Sequence, residues 1–311
     1  MNHLVAIVGP TAIGKSRLAI QVARQMNAEI VSADSRQVYR FMDIGTAKPS
    51  PEELAAVPHH LINIINPDED FSLVRYQQLA SQAIQDIQAR GALPLLVGGS
   101  GQYVWSLIEG WGVPRVAPDQ EYRRHLERQA AAGNGDELYQ ELQQVDPATA
   151  TRIDPQNTRR LIRALEVYHR TGTPFSELRQ KQPPPFTTHI IGLTTEREQL
   201  YHRIDRRVDA MMEQGLVEEV VNLVDMGYNF SLPAMASIGY KQIGAFIREE
   251  VNLETAIQQI KFDSHRLVRN QYAWFRRNDS RIRWLDISEA NEDTGIVRNL
   301  TRLALPETSS P

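Results

Sequence analysis

The sequence predicts an α/β fold, a doubly wound parallel sheet flanked by helices and interrupted by an all-helical insertion domain. Three observations carry that prediction. Short apolar, β-branched runs alternate with stretches of helical period; the first run closes on a glycine-rich turn; and strand-like runs vanish from about residue 115 to residue 185 before returning. Alternating strands and helices of this kind form parallel sheets covered on both faces.

Leu4 to Gly9 (LVAIVG) reads as a strand buried on both faces. From Ser16 onward Leu18, Val22, Ala23 and Met26 recur at three-to-four spacing, the stripe of a helix packed on that sheet. Ala28 to Asp34 gives a second strand, Val74 to Arg90 a helix, and Ala92 to Gly99 a third strand. Pro114 and Pro118 open a charged helical stretch that runs to Pro183-Pro184-Pro185. The sheet resumes at His189 to Leu193, amphipathic helices follow, and Ile282 to Asp286 is a late strand. The expected division is therefore a core over 1–114, a helical insertion over 115–185, and the rest of the core, with basic C-terminal helices, over 186–311. The closing ALPETSSP reads as a frayed tail.

Hydrophobic residues at 41% and charged residues at 23% place the 311-residue chain among folded globular proteins and exclude disordered, collagen-like and membrane-bundle classes. The absence of cysteine excludes disulfides, thiolate zinc sites, iron–sulfur clusters and a cysteine nucleophile, so any metal must sit on oxygen or imidazole. The first residues lack the basic-then-apolar pattern of a leader, and no run approaches the roughly 18 apolar residues of a spanning helix. A cytoplasmic protein without membrane contact is expected.

Gly9-Pro10-Thr11-Ala12-Ile13-Gly14-Lys15-Ser16 matches G-x-x-x-x-G-K-[ST] between a strand and a helix, the context this phosphate-binding loop requires. Backbone N–H groups and the helix N-terminus point at phosphate oxygens, Lys15 adds a charge, and the Ser16 hydroxyl is placed to ligate magnesium. The loop implies a phosphate, not a nucleotide. Nucleotide hydrolysis needs an acid on a later strand, yet Gly98-Gly99-Ser100-Gly101 delivers only small residues there. The acid that does stand at a strand's carboxyl end is Asp34, facing the crevice where open α/β sheets bind ligands. Beside a phosphate, a carboxylate serves chemistry or a cation, or else caps a helix or holds a ribose hydroxyl. Two readings stay open on these residues alone: a small-molecule kinase with Asp34 as base, and an RNA-binding ATPase.

GPTAIGKS, SADSRQVYRFMDIGTAKP, PHHLINIINPDEDFS, PLLVGGSGQY, RRLIRALEVYHRTG, RIDRRVDAMMEQGLVEEV, SIGYKQI and NQYAWFRR, in this order from residue 9 to about residue 277, resemble the tRNA dimethylallyltransferase (tRNA isopentenyltransferase) family. The resemblance implies transfer of the dimethylallyl group of dimethylallyl diphosphate to the exocyclic amine of the adenosine 3′ of the tRNA anticodon. It implies that residues 9–16 hold the diphosphate with Mg2+ on Ser16, that Arg207 adds a cation, and that Asp34 is the base with Thr11 as its hydroxyl partner. It further implies that Asp34, Ser35, Arg36, Gln37 and Ser100 line the channel for the base, and that Arg123 and the stretch Arg159, Arg160, Leu161, Ile162 and Arg163 contact tRNA. Two positions depart from the family pattern: Ser100 replaces a threonine, and Asn270 precedes Gln271 where a basic residue is common. No zinc-finger extension follows, which points to the bacterial type, and a monomer is expected.

The net charge of −4 hides segregation: residues 257–283 carry seven Lys and Arg against two Asp. At 100° per residue Lys261, His265, Arg266, Arg269 and Arg276 share one side, with Ile257, Ile260, Leu267 and Trp274 opposite. Arg159, Arg163 and Arg170 likewise oppose Leu161, Leu165 and Tyr168, with Arg160 at the edge. Such stripes suit phosphates. His59-His60 reads as structural, and Trp105, Trp111, Trp274 and Trp284 as core or interface residues.

Overall fold

The computed structural model describes residues 2–114, 116–178 and 180–288, and these divide into two units, 2–108 with 185–288 in one and those within 109–184 in the other. The insertion thus begins before Pro114, at Glu109. The first half of the larger unit runs β1 (His3–Val8), α1 (Lys15–Met26), β2 (Ala28–Ser32), α2 (Pro51–Ala56), β3 (His59–His60), α3 (Leu73–Ala89), β4 (Leu93–Gly98) and α4 (Gly101–Ile108). The smaller unit carries α5 (Gln120–Ala131), α6 (Gly135–Val145), α7 (Pro147–Ala150), α8 (Thr158–Thr171) and α9 (Phe175–Leu178). The larger unit then resumes with β5 (Thr187–Thr194), α10 (Arg197–Glu213), α11 (Leu216–Asp225), α12 (Tyr240–Ile247), α13 (Leu253–Trp274) and β6 (Ile282–Asp286).

The six strands form one parallel sheet in the order β3-β2-β4-β1-β5-β6. Leu4 through Val8 are all buried, as a central strand covered on both faces requires. The connection leaving β1 runs to one side of the sheet and the connection leaving β4 to the other, so the carboxyl ends of these neighbours form a topological switch point. The phosphate loop follows β1 and the small-residue turn follows β4.

The two-residue β3 was not visible in the sequence, because it has no hydrophobic pattern of its own. It pairs at the edge through Ile30–His59 and Val31–His60. His60 Nε2 lies 2.7 Å from a Glu29 carboxylate oxygen, and His59 Nδ1 2.7 Å from the Val57 carbonyl. A second apolar cluster, including Val38, Met42, Ile65, Val208, Leu216, Val220, Tyr240 and Ile260, joins the 38–65 loops to α10–α13. The expected tail lies outside the described residues, and α13 ends at Trp274, so Arg276 stands beyond the helical stripe to which the sequence assigned it.

The smaller unit has its own core of Leu126, Leu138, Leu142, Leu161, Ile162 and Leu165. At its side the fully buried Glu166 accepts from Arg123 (2.7 and 2.9 Å), Arg163 (2.5 Å) and the Asp119 backbone (2.7 Å). Burial alone would raise the Glu166 pKa, but the hydrogen bonds from Arg123 and Arg163 outweigh it and hold the carboxyl below its ordinary range. Glu166→Gln should cost about 2–3 kcal/mol, the lower end for a broken buried pair because solvent screens guanidiniums that remain 30% exposed. The Glu166 contribution is present above the ordinary carboxyl value of 4.5 and lost as pH falls through the depressed native value. Urea unfolding of parent and variant should therefore converge in acid and diverge near neutrality.

Candidate active site

The carboxyl ends of β1, β2 and β4 open into a crevice of about 1190 Å³ within the larger unit. Thr11, Ala12, Gly14, Lys15 and Ser16 of the phosphate loop line it, together with Asp34 to Gln37, Gly98 to Tyr103 and Arg207. Lys15 Nζ donates to the Pro10 carbonyl at 2.7 Å, curling back over the loop. Arg207, from α10, donates to Thr11 Oγ1 at 3.3 Å. Asp34 Oδ1 accepts from the backbone N–H groups of Arg36 (2.8 Å) and Gln37 (3.4 Å), which fixes the carboxylate, and among the described residues nothing donates to Oδ2.

Burial lowers the Lys15 pKa to about 8; the Asp34 carboxylate opposes the shift and the Arg207 guanidinium adds to it. Burial also lowers the Arg207 pKa, against the pull of Asp34. Two enclosed cations thus share one carboxylate, the electrostatics of a site made for an added anion.

A buried glutamine holds this arrangement together. Gln271, on α13, accepts from the Thr11 backbone N–H through Oε1 (2.8 Å) and donates from Nε2 to the Gly99 carbonyl (3.2 Å). A Cβ on Gly99 would lie 2.3 Å from Gln271 Nε2 and 3.2 Å from the Gly9 carbonyl oxygen, so a side chain there would displace the bridging amide. Sequence reasoning gave Gln271 no role, although it sits four residues after Leu267 and three before Trp274, on the same helical face. That face, Ile260, Ser264, Leu267, Gln271 and Trp274, lines the crevice. Leu267 and Trp274 are therefore not seam or core residues: they are 37% and 38% exposed because they border a cavity. Trp105 is buried, its Nε1 donating to the Trp274 carbonyl at 3.0 Å.

Ser100 Oγ accepts from the Ser35 backbone N–H (3.1 Å) and donates to Ser35 Oγ (3.3 Å), so the hydroxyl, not the absent methyl, joins the β2 and β4 turns. Arg36 donates to the Pro233 carbonyl at 3.2 Å. Gln37 reads main chain: Nε2 donates to the carbonyls of Thr46 (3.4 Å) and Ala47 (3.1 Å), and Oε1 accepts from Ser32 Oγ (3.3 Å).

Several of the arginines and neighbouring residues expected to meet RNA are engaged elsewhere. Leu161 and Ile162 are buried in the smaller unit's core, so their side chains do not fit the contact role given to them. Arg123 and Arg163 serve Glu166, which leaves Arg159 and Arg160 as the exposed members of that group. On α13, Lys261 pairs with Asp209 (2.7 Å) and His265 Nε2 lies 2.9 Å from Asp205 Oδ1, so α10 neutralises Lys261 while Arg266 and Arg269 stay exposed.

Comparison with known proteins shows the family. The IPP transferase family model matches residues 37–278. A tRNA dimethylallyltransferase of Roseiflexus castenholzii is 55% identical over 277 residues, 89% of this chain and 90% of the relative. One from Chloroflexus aurantiacus is 53% identical over the same length, 89% of this chain and 94% of the relative. Among solved structures, the full-length tRNA isopentenylpyrophosphate transferase of Bacillus halodurans matches with a TM-score of 0.72 at 40% identity, over 98% of this chain and 97% of that one. A eukaryotic dimethylallyltransferase acting on tRNA matches with a TM-score of 0.83 at 28% identity, over 97% of this chain and 79% of the other. With a family model over most of its length and relatives of this identity and coverage, the chain belongs to the IPP transferase family.

Proposed function

We propose that the protein transfers the dimethylallyl group of dimethylallyl diphosphate to the exocyclic amine of the adenosine 3′ of the anticodon in tRNA, releasing diphosphate. The observation that carries this reading is the convergence of Asp34 with Lys15, Arg207 and Thr11 in one crevice, where a phosphate loop lacks the acid of a hydrolase. The allylic carbon–oxygen bond breaks and its electron pair leaves with the diphosphate, while the adenine nitrogen lone pair forms the new carbon–nitrogen bond. Loop amides, Lys15 and Arg207 stabilise the charge that grows on the leaving group. The amine proton becomes acidic as alkylation proceeds, and Asp34 Oδ2 accepts it. A base removed from its stack is reached at this depth, as for other enzymes that act on single nucleotides.

Magnesium fits the donors present: Ser16 lines the crevice, and this ion takes one or two protein oxygens with phosphate oxygens and water in place of a full protein cage. When bound there it would supply further charge stabilisation to the diphosphate. A monomer is the proposed working unit. Among the described residues no helix is long and apolar enough to cross a membrane, and the cytoplasm, where tRNA is available, is the proposed location.

The direct test incubates the protein with magnesium, dimethylallyl diphosphate and an unmodified tRNA, then weighs the digested nucleosides. An adenosine heavier by one dimethylallyl group is expected; no mass shift with several tRNAs and folded protein would instead favour a kinase. Asp34→Ala should reduce turnover by about 10²- to 10⁴-fold with little change in tRNA affinity. In the free enzyme Lys15 loses its charge near pH 8, so kcat/KM for dimethylallyl diphosphate should fall above that pH. Lys15→Met should be slow throughout and lack that limb of the profile.

A further inference from the structure

Three of the sequence segments quoted above, DIGTAKP, GLVEEV and SIGYKQI, have no part in the chemistry just described, yet they meet at one carboxylate. Glu219, on α11, accepts through Oε2 from the backbone N–H groups of Asp43 (2.9 Å) and Ile44 (2.8 Å). Through Oε1 it accepts from the Gly45 N–H (3.2 Å) and from the Tyr240 hydroxyl (2.6 Å). Three successive amides turned on one anion form a nest. Gly45 admits the contact because a Cβ there would stand 2.5 Å from the Tyr240 ring.

The whole of this loop is crevice wall: Asp43, Ile44 and Gly45, which Glu219 pins, line the cavity together with Thr46, Ala47 and Lys48, whereas Glu219 itself does not. The Thr46 and Ala47 carbonyls receive the Gln37 amide, and Gln37 is three residues beyond Asp34. The loop does not hold this shape by local preference. Phe41 and Ala47 have φ of 65° and 45°, left-handed values that side chains other than glycine adopt at a cost. Lys48 adds a second restraint, Nζ donating to the Tyr39 carbonyl (2.6 Å), Asp43 Oδ1 (2.6 Å) and Asn63 Oδ1 (2.5 Å).

We infer that Glu219 is a positioning residue for the nucleic-acid acceptor: it pins 43–45, the following 46–47 carbonyls orient the Gln37 amide, and Gln37 with Asp34 then receives the adenine. This assignment rests on the proposed function. Both Glu219 oxygens accept, so the Glu219→Gln amide can replace only one of them and must turn its NH2 against backbone donors. The variant should raise KM for an anticodon stem–loop RNA about tenfold, the order expected for losing hydrogen bonds to a charged group, with kcat and KM for dimethylallyl diphosphate within about twofold of the parent. Tyr240→Phe removes a single donor and should show a smaller effect in the same direction.

Two measurements separate positioning from a general loss of structure. Amide hydrogen exchange should quicken at 43–48 in Glu219→Gln and stay unchanged at 9–16. In a double-mutant cycle, Glu219→Gln added to Gln37→Ala should raise the RNA KM by less than about twofold further, because the path through Gln37 is already cut. Equal weakening of both substrates, additive effects with Gln37→Ala, or unchanged RNA KM in a working enzyme would each overturn the assignment alone. A parent enzyme that forms no dimethylallyl product would overturn the functional reading and this assignment with it.

Discussion

The crevice is organised by a charge imbalance. Lys15 and Arg207 both line the cavity; burial lowers the pKa of each, Arg207 lowers that of Lys15 further, and the single Asp34 carboxylate opposes both shifts. Removing cations from water is costly unless an anion accompanies them. A diphosphate supplies more negative charge than Asp34 can, and it supplies most at the moment its bond to carbon breaks. The same imbalance that disfavours the empty site therefore favours the transition state, which is the condition for raising turnover and not only affinity.

Such a site works only if its parts hold their spacing, and the backbone alone does not provide that. The phosphate loop leaves β1, the small-residue turn leaves β4, and parallel pairing fixes the strands but not the loops beyond them. The buried Gln271 amide bridges Thr11 and Gly99, and Arg207 reaches Thr11 from α10. Both helices lie late in the chain, so the turns of the early half depend for their final geometry on contacts 172 to 260 residues apart in sequence.

That dependence explains what could be read from the sequence. Strands such as Leu4 to Gly9 and the loop ending Gly14-Lys15-Ser16 were legible because their pattern is local: a β-branched run, a glycine turn, a helical stripe. Asp34 was legible from its place at a strand end. Gln271 was not, since a polar residue in a helix carries no sign that it will be buried against a distant glycine. Leu267 and Trp274 have the spacing of a core seam, and periodicity cannot tell a seam from a cavity wall. Arg163 and Leu161 show the converse problem: the pattern assigns faces correctly, but not whether a charged face meets solvent or a buried carboxylate such as Glu166.

The arginines that remain exposed set a limit on how RNA can be recognised. Arg159 and Arg160 in one unit and Arg266, Arg276 and Arg277 in the other present exposed charge, which suits phosphates and supplies affinity that falls with salt. Phosphates are the same in every sequence, so on the proposed function these side chains would orient an RNA without choosing a base. Discrimination has to come from groups of fixed direction, and in the larger unit those are the tethered ones: Asp34 held by two backbone amides, Ser100 joined to Ser35, and Gln37 aimed by the loop that Glu219 pins. Each is held by main chain, a rigid frame for reading a base edge. Surface charge and base choice are thereby divided between two sets of residues, and salt should weaken the first without relaxing the second.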